Sequence, residues 1–277
     1  MSATGDNWLL VSDLDGTLLD HHTYSWESAR PALDYLRERG IPVALNSSKS
    51  ANEIEVIRED MALGGPFIAE NGSAVFLPRT DFPDAPEGCS ASGNYWCKLF
   101  GRARADIVEL LTGWRAGKGW QFAGFSDWDA EDIATITGLS VAAAERASRR
   151  EFSEPLLWRD SPAALETFRQ QVLASGLQFI RGGRFIHILG PADKGRATAW
   201  MRQQYQQKSG GKLRLVALGD GPNDIDLFRV ADIAVVVKSP AYPYPPFTSP
   251  AEIIYTDSFG PAGWNEAVFA LRESHKL

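Results

Sequence analysis

Apolar and polar positions change rhythm along the chain in a repeating way. "WLLVSDLD" is a short apolar run that ends in polar residues, which predicts a strand buried on both faces. "SWESARPALDYLRERG" spaces its apolar residues three and four apart and stops at Gly40, which predicts a helix. "IPVALNSSK" repeats the strand pattern, and "SANEIEVIREDMALGG" the helix with a glycine stop. "PFIAENGSAVFLP" reads as strand, turn and strand. After residue 190 the same rhythm resumes: a helix over "ADKGRATAWMRQQYQQ", then strand, acidic loop and helix in "KLRLVALGDGPNDIDLFRVA", then the strand "DIAVVVK". The prolines of "SPAYPYPPFTSP" predict a loop, and "GPAGWNEAVFALRESH" a closing helix.

Between these halves the pattern loosens. Thr80 to Gly93 is rich in Pro, Gly, Ser and Asp and reads as a linker. Helices follow over Arg102–Arg115, "DAEDIATITG", "SVAAAERASRR" and "SPAALETFRQQVLASG", with strands in "NYWCKLFG", "PLLWRD" and on both sides of the Gly-Gly turn of "LQFIRGGRFIHIL". Strand–helix alternation on both sides of this segment predicts an α/β fold. The expected layout is a doubly wound parallel-sheet (Rossmann-like) core over 1–90 plus 191–277, with an inserted α+β module over 91–190. Charge changes with the pattern: the middle segment has 12 basic and 11 acidic residues, so the flanks, with 16 and 24, carry −8 against a chain total of −7.

That acidic balance argues against a nucleic-acid partner. A chain of 277 residues suits one large and one smaller domain. Two cysteines are too few for a disulfide scaffold or a cysteine zinc site. No apolar run reaches the roughly 18 residues of a membrane span, and the start lacks a basic leader, so a soluble cytoplasmic protein is expected. His21-His22 lacks metal-binding companions, "YPYPPF" reads as a rigid loop, and the nine tryptophans are scattered as packing residues.

Four polar clusters stand at strand or helix ends, where an open parallel sheet binds ligands. They are Asp13-Leu14-Asp15-Gly16-Thr17, Asn46-Ser47-Ser48-Lys49, Lys194, and Gly219-Asp220-Gly221-Pro222-Asn223-Asp224. Each has an ordinary reading as a turn, cap or surface lysine, and the calcium-loop pattern fails at Thr17, Leu18 and Tyr24. Jointly they supply carboxylates for a hard cation and lysines and hydroxyls for a phosphate. Two residues apart at a strand end, Asp13 and Asp15 project to one side. Asp13 can attack phosphorus, and Asp15 can protonate the leaving alcohol and then activate water. Gly16 permits a tight turn, and Thr17 is expected to hold Asp15. A cation held by Asp13, the Asp15 carbonyl and Asp220 would screen nucleophile from phosphate.

"DLDGT", "LNSSK", Lys194 and "GDGPND" together resemble the four motifs of the haloacid dehalogenase superfamily, and the insertion between the second and third motifs resembles its Cof-like branch. "AENG", "WRD", "RFIHIL" and "DKG" narrow the likeness to sugar-phosphoglycerate phosphatases. The resemblance implies Mg²⁺, with Asp13 as nucleophile, Asp15 as acid and base, and Asp13, Asp15, Asp220 and Asp224 at the metal. It implies Ser47 and Lys194 at the phosphate, beside Gly16, Ser48, Lys49 and Asn223. The middle segment becomes a cap that reads the substrate. The implied substrate is a small phosphorylated sugar-glycerate: mannosyl-3-phosphoglycerate first, a glucosyl-3-phosphoglycerate or another sugar phosphate as the alternative. A transferase or mutase using the same aspartyl phosphate, or a non-catalytic binding module, are further alternatives. For the glycerate carboxylate, the candidates are Arg159, Arg181, Arg184 and His187. Strand alternation sets Arg184 and His187 on opposite faces. Glu70, Asn71 and Gly72 are expected mainly to close a turn.

Overall fold

The computed structural model describes residues 7–182, 184–241, 243–249, 252–274 and 276–277. Gly183 of the expected Gly-Gly turn, and Tyr242 and Pro250 of the proline loop, lie outside them. The chain begins with β1 (Asn7–Ser12), α1 (Arg30–Glu38), β2 (Val43–Asn46), α2 (Ala51–Asp60) and β3 (Phe67–Ala69). β4 (Ala74–Pro78), β5 (Ser90–Ser92) and β6 (Tyr95–Leu99) follow. Next come α3 (Arg104–Lys118), β7 (Phe122–Gly124), α4 (Ala130–Thr137), α5 (Val141–Ser148), β8 (Ser153–Trp158), α6 (Pro162–Ala174), β9 (Gln178–Gly182) and β10 (Phe185–Leu189). The last part holds α7 (Lys194–Ser209), β11 (Leu213–Gly219), α8 (Ile225–Arg229), β12 (Ile233–Lys238), β13 (Glu252–Phe259) and α9 (Ala262–Glu273).

Nine strands form one sheet in the order β13-β12-β11-β1-β2-β3-β4-β6-β5. From β13 to β3 every neighbour pair is parallel, and β4, β6 and β5 add antiparallel strands at one edge. β1 explains the apolar run that opens the chain. Its Leu10 packs on the face covered by α1, α2 and α9, with Leu33, Ile54 and Trp264. Leu9 and Val11 face α7 and α8, with Met201 and Phe228. A strand covered on both sides has no polar face, so its pattern is continuous rather than alternating. The chain winds outward from β1 through β2 and β3, and in the other direction from β11 through β12 and β13. The order therefore reverses between β1 and β11, and a crevice opens beyond their carboxyl ends.

The four strands β7-β8-β10-β9 form a second, antiparallel sheet. Ile186 and Ile188 of β10 pack with Ile107 and Leu111 of α3 and Phe168 and Val172 of α6. Phe185 packs from the other face against Phe125, with Ile133 of α4 and Ala144 of α5 in the same cluster. Two details differ from the sequence expectation. β5 and β6 pair with β4 and so join the first sheet, and part of the expected linker is a strand. β13 was not expected at all; at the sheet edge its "EIIYTDSF" mixes polar and apolar positions instead of forming an apolar run.

Two chain crossings join the modules, and a buried polar cluster holds them. Glu70 and Asn71 both sit at positive φ, 51° and 59°. This turn, expected mainly to close a hairpin, does more. Glu70 accepts hydrogen bonds from the Glu151 and Phe152 amides (2.9 and 3.2 Å) and the Ser153 hydroxyl (2.5 Å). Arg150 donates to the Ser153 hydroxyl and to the Ser48 carbonyl, and stands 3.7 Å from Glu70. The other side of the turn binds the core: the Asn71 amide donates to the Ser47 carbonyl at 2.9 Å. Gly72 lies so close to Asp193 that a Cβ would stand 2.2 Å from its carbonyl oxygen, and its φ of +91° also requires glycine. Glu70→Ala takes the acceptor from two amides and the Ser153 hydroxyl, and a neighbouring negative charge from Arg150, at a largely buried junction. It is expected to lower stability by about 3–5 kcal/mol in urea unfolding, with faster amide exchange at 151–153; a loss confined to exposed-residue values would remove Glu70 from this role.

Candidate active site

The four sequence clusters converge on the crevice between β1 and β11. Asp13 follows β1, its amide bound to the Leu218 carbonyl of β11 at 2.9 Å. The Ser12 hydroxyl donates to the Asp13 carbonyl (2.7 Å) and accepts from the buried Trp264 indole (3.0 Å), so α9 braces the strand end. Asn46, at the end of β2, donates to the Lys194 carbonyl and the Thr198 hydroxyl, fixing the first turn of α7. Asp193 caps that helix through the Arg196 amide. Asp224 accepts from the Asp220 and Gly221 amides, both at 3.1 Å, and so shapes the loop after β11.

Lys194 is the centre of this arrangement. Its buried ammonium lies 2.6 Å from Asp13 Oδ1 and 2.7 Å from Asp224 Oδ1. Burial opposes its charge, but Asp13 and Asp224 together raise its pKa above the ordinary lysine value. Burial raises the Asp13 pKa well above the usual carboxylate range, against the pull of Lys194. Asp220 is pushed up to about 6, by burial first and by Asp224 next. Three carboxylates facing one lysine leave an excess of negative charge in a dry place.

Asp13, Asp220 and Asp224 can each offer one oxygen within 4.8 Å of the others, a hard-oxygen set that fits Mg²⁺. Gly16, at φ +81°, makes room for it: a Cβ there would stand 2.6 Å from Asp220 Oδ2. The carboxylate of Asp15, whose carbonyl was the expected ligand, is not in this set. It is partly exposed and pairs with Lys49 Nζ at 2.9 Å. Thr17 does not hold Asp15 as expected; its hydroxyl donates to Asp220 Oδ1 at 3.3 Å. Ser47 is buried and its hydroxyl accepts the Lys49 amide at 3.2 Å, while Ser48 contributes its carbonyl to Arg150. Asn223 is exposed in the short turn before α8.

The expected cap residues fare differently. Ser153, at the start of β8, touches the core, whereas Arg159 lies beyond the opposite end of that strand, about 20 Å away along it. Arg159, Arg181 and Arg184 are exposed, Arg184 at the hairpin turn. None is brought to the carboxylates. His187 pairs in register with Pro155 and Ile180, on the sheet face that carries Ser153. Its Nδ1 is buried without a hydrogen-bond partner. Burial, helped by Arg150, pushes its pKa down to about 3, so it is a neutral imidazole and not the cation expected for a carboxylate. Arg150 was missed because "SRRE" reads as a solvated helix end; only the folded contacts with Ser48 and Glu70 reveal it. Glu70 had a local signal, its place beside Asn71-Gly72, but its partners are some eighty residues away.

Residues 10–82 match the profile of the haloacid dehalogenase-like hydrolases. A curated relative from Methanococcoides burtonii, a glucosyl-3-phosphoglycerate/mannosyl-3-phosphoglycerate phosphatase, is 36% identical over 263 residues, 95% of this chain and 96% of the relative. A phosphatase of the same superfamily from Bacteroides thetaiotaomicron shares the fold with a TM-score of 0.63 at 19% identity, covering 100% of this chain and 99% of its own. The sucrose-phosphatase of Synechocystis, solved with sucrose and phosphate, superposes with a TM-score of 0.54 at 17% identity over 97% of this chain and 99% of its own. Among the described residues no helix is long and apolar enough to cross a membrane. With the motifs converged on one crevice and the likeness to a phosphatase running nearly end to end, the chain belongs to the haloacid dehalogenase-like hydrolases and is a phosphoric monoester hydrolase.

Proposed function

We propose that the protein is a Mg²⁺-dependent phosphatase of glycosyl-3-phosphoglycerates, working through a phosphoryl group carried on Asp13. The observation that carries the chemistry is the buried Lys194 ammonium between Asp13 and Asp224. It fixes the Asp13 carboxylate and supplies positive charge where a phosphate dianion must approach. An oxygen of Asp13 attacks phosphorus as the bond to the ester oxygen breaks, and Asp15 delivers a proton to the departing alkoxide. Asp15 then takes a proton from water as that water attacks the aspartyl phosphate. The bond from phosphorus to Asp13 breaks, releasing inorganic phosphate and restoring the carboxylate. Ser47 and the amides of its loop orient the phosphoryl oxygens, and Thr17 holds Asp220. Asp13, Asp220 and Asp224 would hold Mg²⁺, which when bound would supply charge to offset repulsion between carboxylate and phosphate.

The substrate reading is supported by the relative from Methanococcoides burtonii, whose name couples the glucosyl and mannosyl compounds. Mannosyl-3-phosphoglycerate is proposed first, giving mannosylglycerate and phosphate; the glucosyl epimer is the second reading on the same ground. The module after Leu99 is proposed to act as the cap over this site, and a cytoplasmic setting belongs to the same reading.

Phosphate release is expected with mannosyl- or glucosyl-3-phosphoglycerate in Mg²⁺ and to cease in EDTA. Activity on an aryl phosphate alone would keep the phosphatase and discard this substrate. Asp13→Asn is expected to abolish turnover with the fold intact by circular dichroism. Asp15→Asn should slow turnover by roughly 10²–10⁴-fold; an unchanged rate would take Asp15 out of proton transfer.

The raised carboxylates also set a pH dependence. Without metal, Asp220 gains its proton below about pH 6 instead of near its ordinary 3.8. Its stabilising contribution is full below that ordinary value and is lost as pH rises through about 6. A dication binds the deprotonated form, so its affinity moves in the opposite direction. The rise in melting temperature on adding Mg²⁺ is expected to be larger above about pH 7 than below about pH 5. Equal rises at both would show that these carboxylates do not hold the ion.

A further inference from the structure

The loop after the first motif presents an aromatic residue in an unusual way. Tyr24 is 51% exposed, yet its backbone has φ 57°, a region that bulky residues avoid. Asp20 enforces that conformation. Its carboxylate accepts the His22 amide (3.0 Å) and both the amide and hydroxyl of Thr23 (2.8 Å each). Its backbone bonds to Tyr24 and Ser25 close the loop. The ring so held stands against Lys49, whose Nζ lies 5.1 Å from the ring centroid and 2.9 Å from Asp15. Tyr24, Lys49 and Asp15 thus form a continuous line from the surface to the carboxylate proposed to protonate the leaving group.

The other cations named above are committed or distant. Lys194 is shared by Asp13 and Asp224, and Arg150 is bound to Ser48 and Ser153. Arg159, Arg181 and Arg184 lie exposed on the second module. Lys49 has three donors, one directed to Asp15, and keeps some access to solvent.

We propose that Lys49 and Tyr24 form the leaving-group subsite, Lys49 receiving the carboxylate of the glycerate and Tyr24 stacking on the hexose ring. The inference rests on the function proposed above and adds where its substrate's two non-phosphate groups bind. The chemistry of the substrate matches the line of side chains. The carbon next to the phosphate ester bears both the carboxylate and the glycosidic oxygen. When Asp15 meets the ester oxygen, both groups lie within a few ångströms of it, one side chain further out. An ammonium suits the carboxylate, and an exposed, pre-set ring suits the apolar face of a sugar at little entropic cost.

The test compares kcat/KM for mannosyl- and glucosyl-3-phosphoglycerate, 3-phosphoglycerate and glycerol 3-phosphate. The ratio of glycoside to 3-phosphoglycerate reads the ring contact; the ratio of 3-phosphoglycerate to glycerol 3-phosphate reads the carboxylate. Tyr24→Asn removes the ring but tolerates positive φ, and is expected to lower the first ratio about tenfold, through KM. Tyr24→Phe should keep that ratio. Lys49→Gln should lower the second ratio by about tenfold or more. A first ratio unmoved in Tyr24→Asn, or lost equally in Tyr24→Phe, overturns the role of Tyr24; an unmoved second ratio overturns that of Lys49. Wild-type protein that fails to hydrolyse either glycoside rejects the substrate itself, and the subsite with it, before any variant is compared.

Discussion

A single buried ammonium organises this molecule's chemistry. Lys194 holds Asp13 on one side and Asp224 on the other, with Asp220 nearby. Carboxylates so close, and so poorly hydrated, cannot all remain ionised without compensation. One lysine compensates in part, and the remaining negative charge is what a divalent cation would neutralise. The raised pKa values of Asp13 and Asp220 express the same imbalance. The site is therefore poised for a hard cation and for a substrate whose phosphate arrives with it.

The fold exists to keep these groups together against their repulsion. Asp13 and Asp220 leave adjacent strands at the point where the sheet reverses its order, and Lys194 begins the helix that Asn46 ties to β2. Trp264 packs through α9 to hold Ser12 behind Asp13. The second module is tied to the same place. One turn, Glu70–Asn71, binds the start of β8 with a side chain and the Ser47 loop with a backbone amide. The turn thus ties the start of β8 to the segment next to Ser47–Lys49.

Much of this is legible in the sequence because it is local. The strands that carry Asp13, Asn46 and Asp220 are buried on both faces, so each is a plain apolar run and the polar residues at its end stand out. What the sequence hides depends on distant partners. β13 lies at the sheet edge and shows no such run. Glu70 looks like a hairpin turn until Glu151 to Ser153 are placed against it, and Arg150 looks like a solvated charge until it meets the Ser48 carbonyl. Arg159, Arg184 and His187 drew notice by chemical type, but type does not encode position: the arginines point to water, and burial removes the charge from the histidine. Tyr24 could not be singled out, since its positive φ follows from hydrogen bonds to Asp20 that only the folded loop reveals.

The chemistry proposed for this site carries the phosphoryl group on Asp13. Acid quenching within the first turnover on the proposed substrate, followed by peptide mass analysis, tests it directly. One phosphoryl group is expected on the peptide containing Asp13, removed by hydroxylamine as an acyl phosphate should be. Full turnover with no phosphoryl group on that peptide at any quench time, or with the group on another residue, would contradict it.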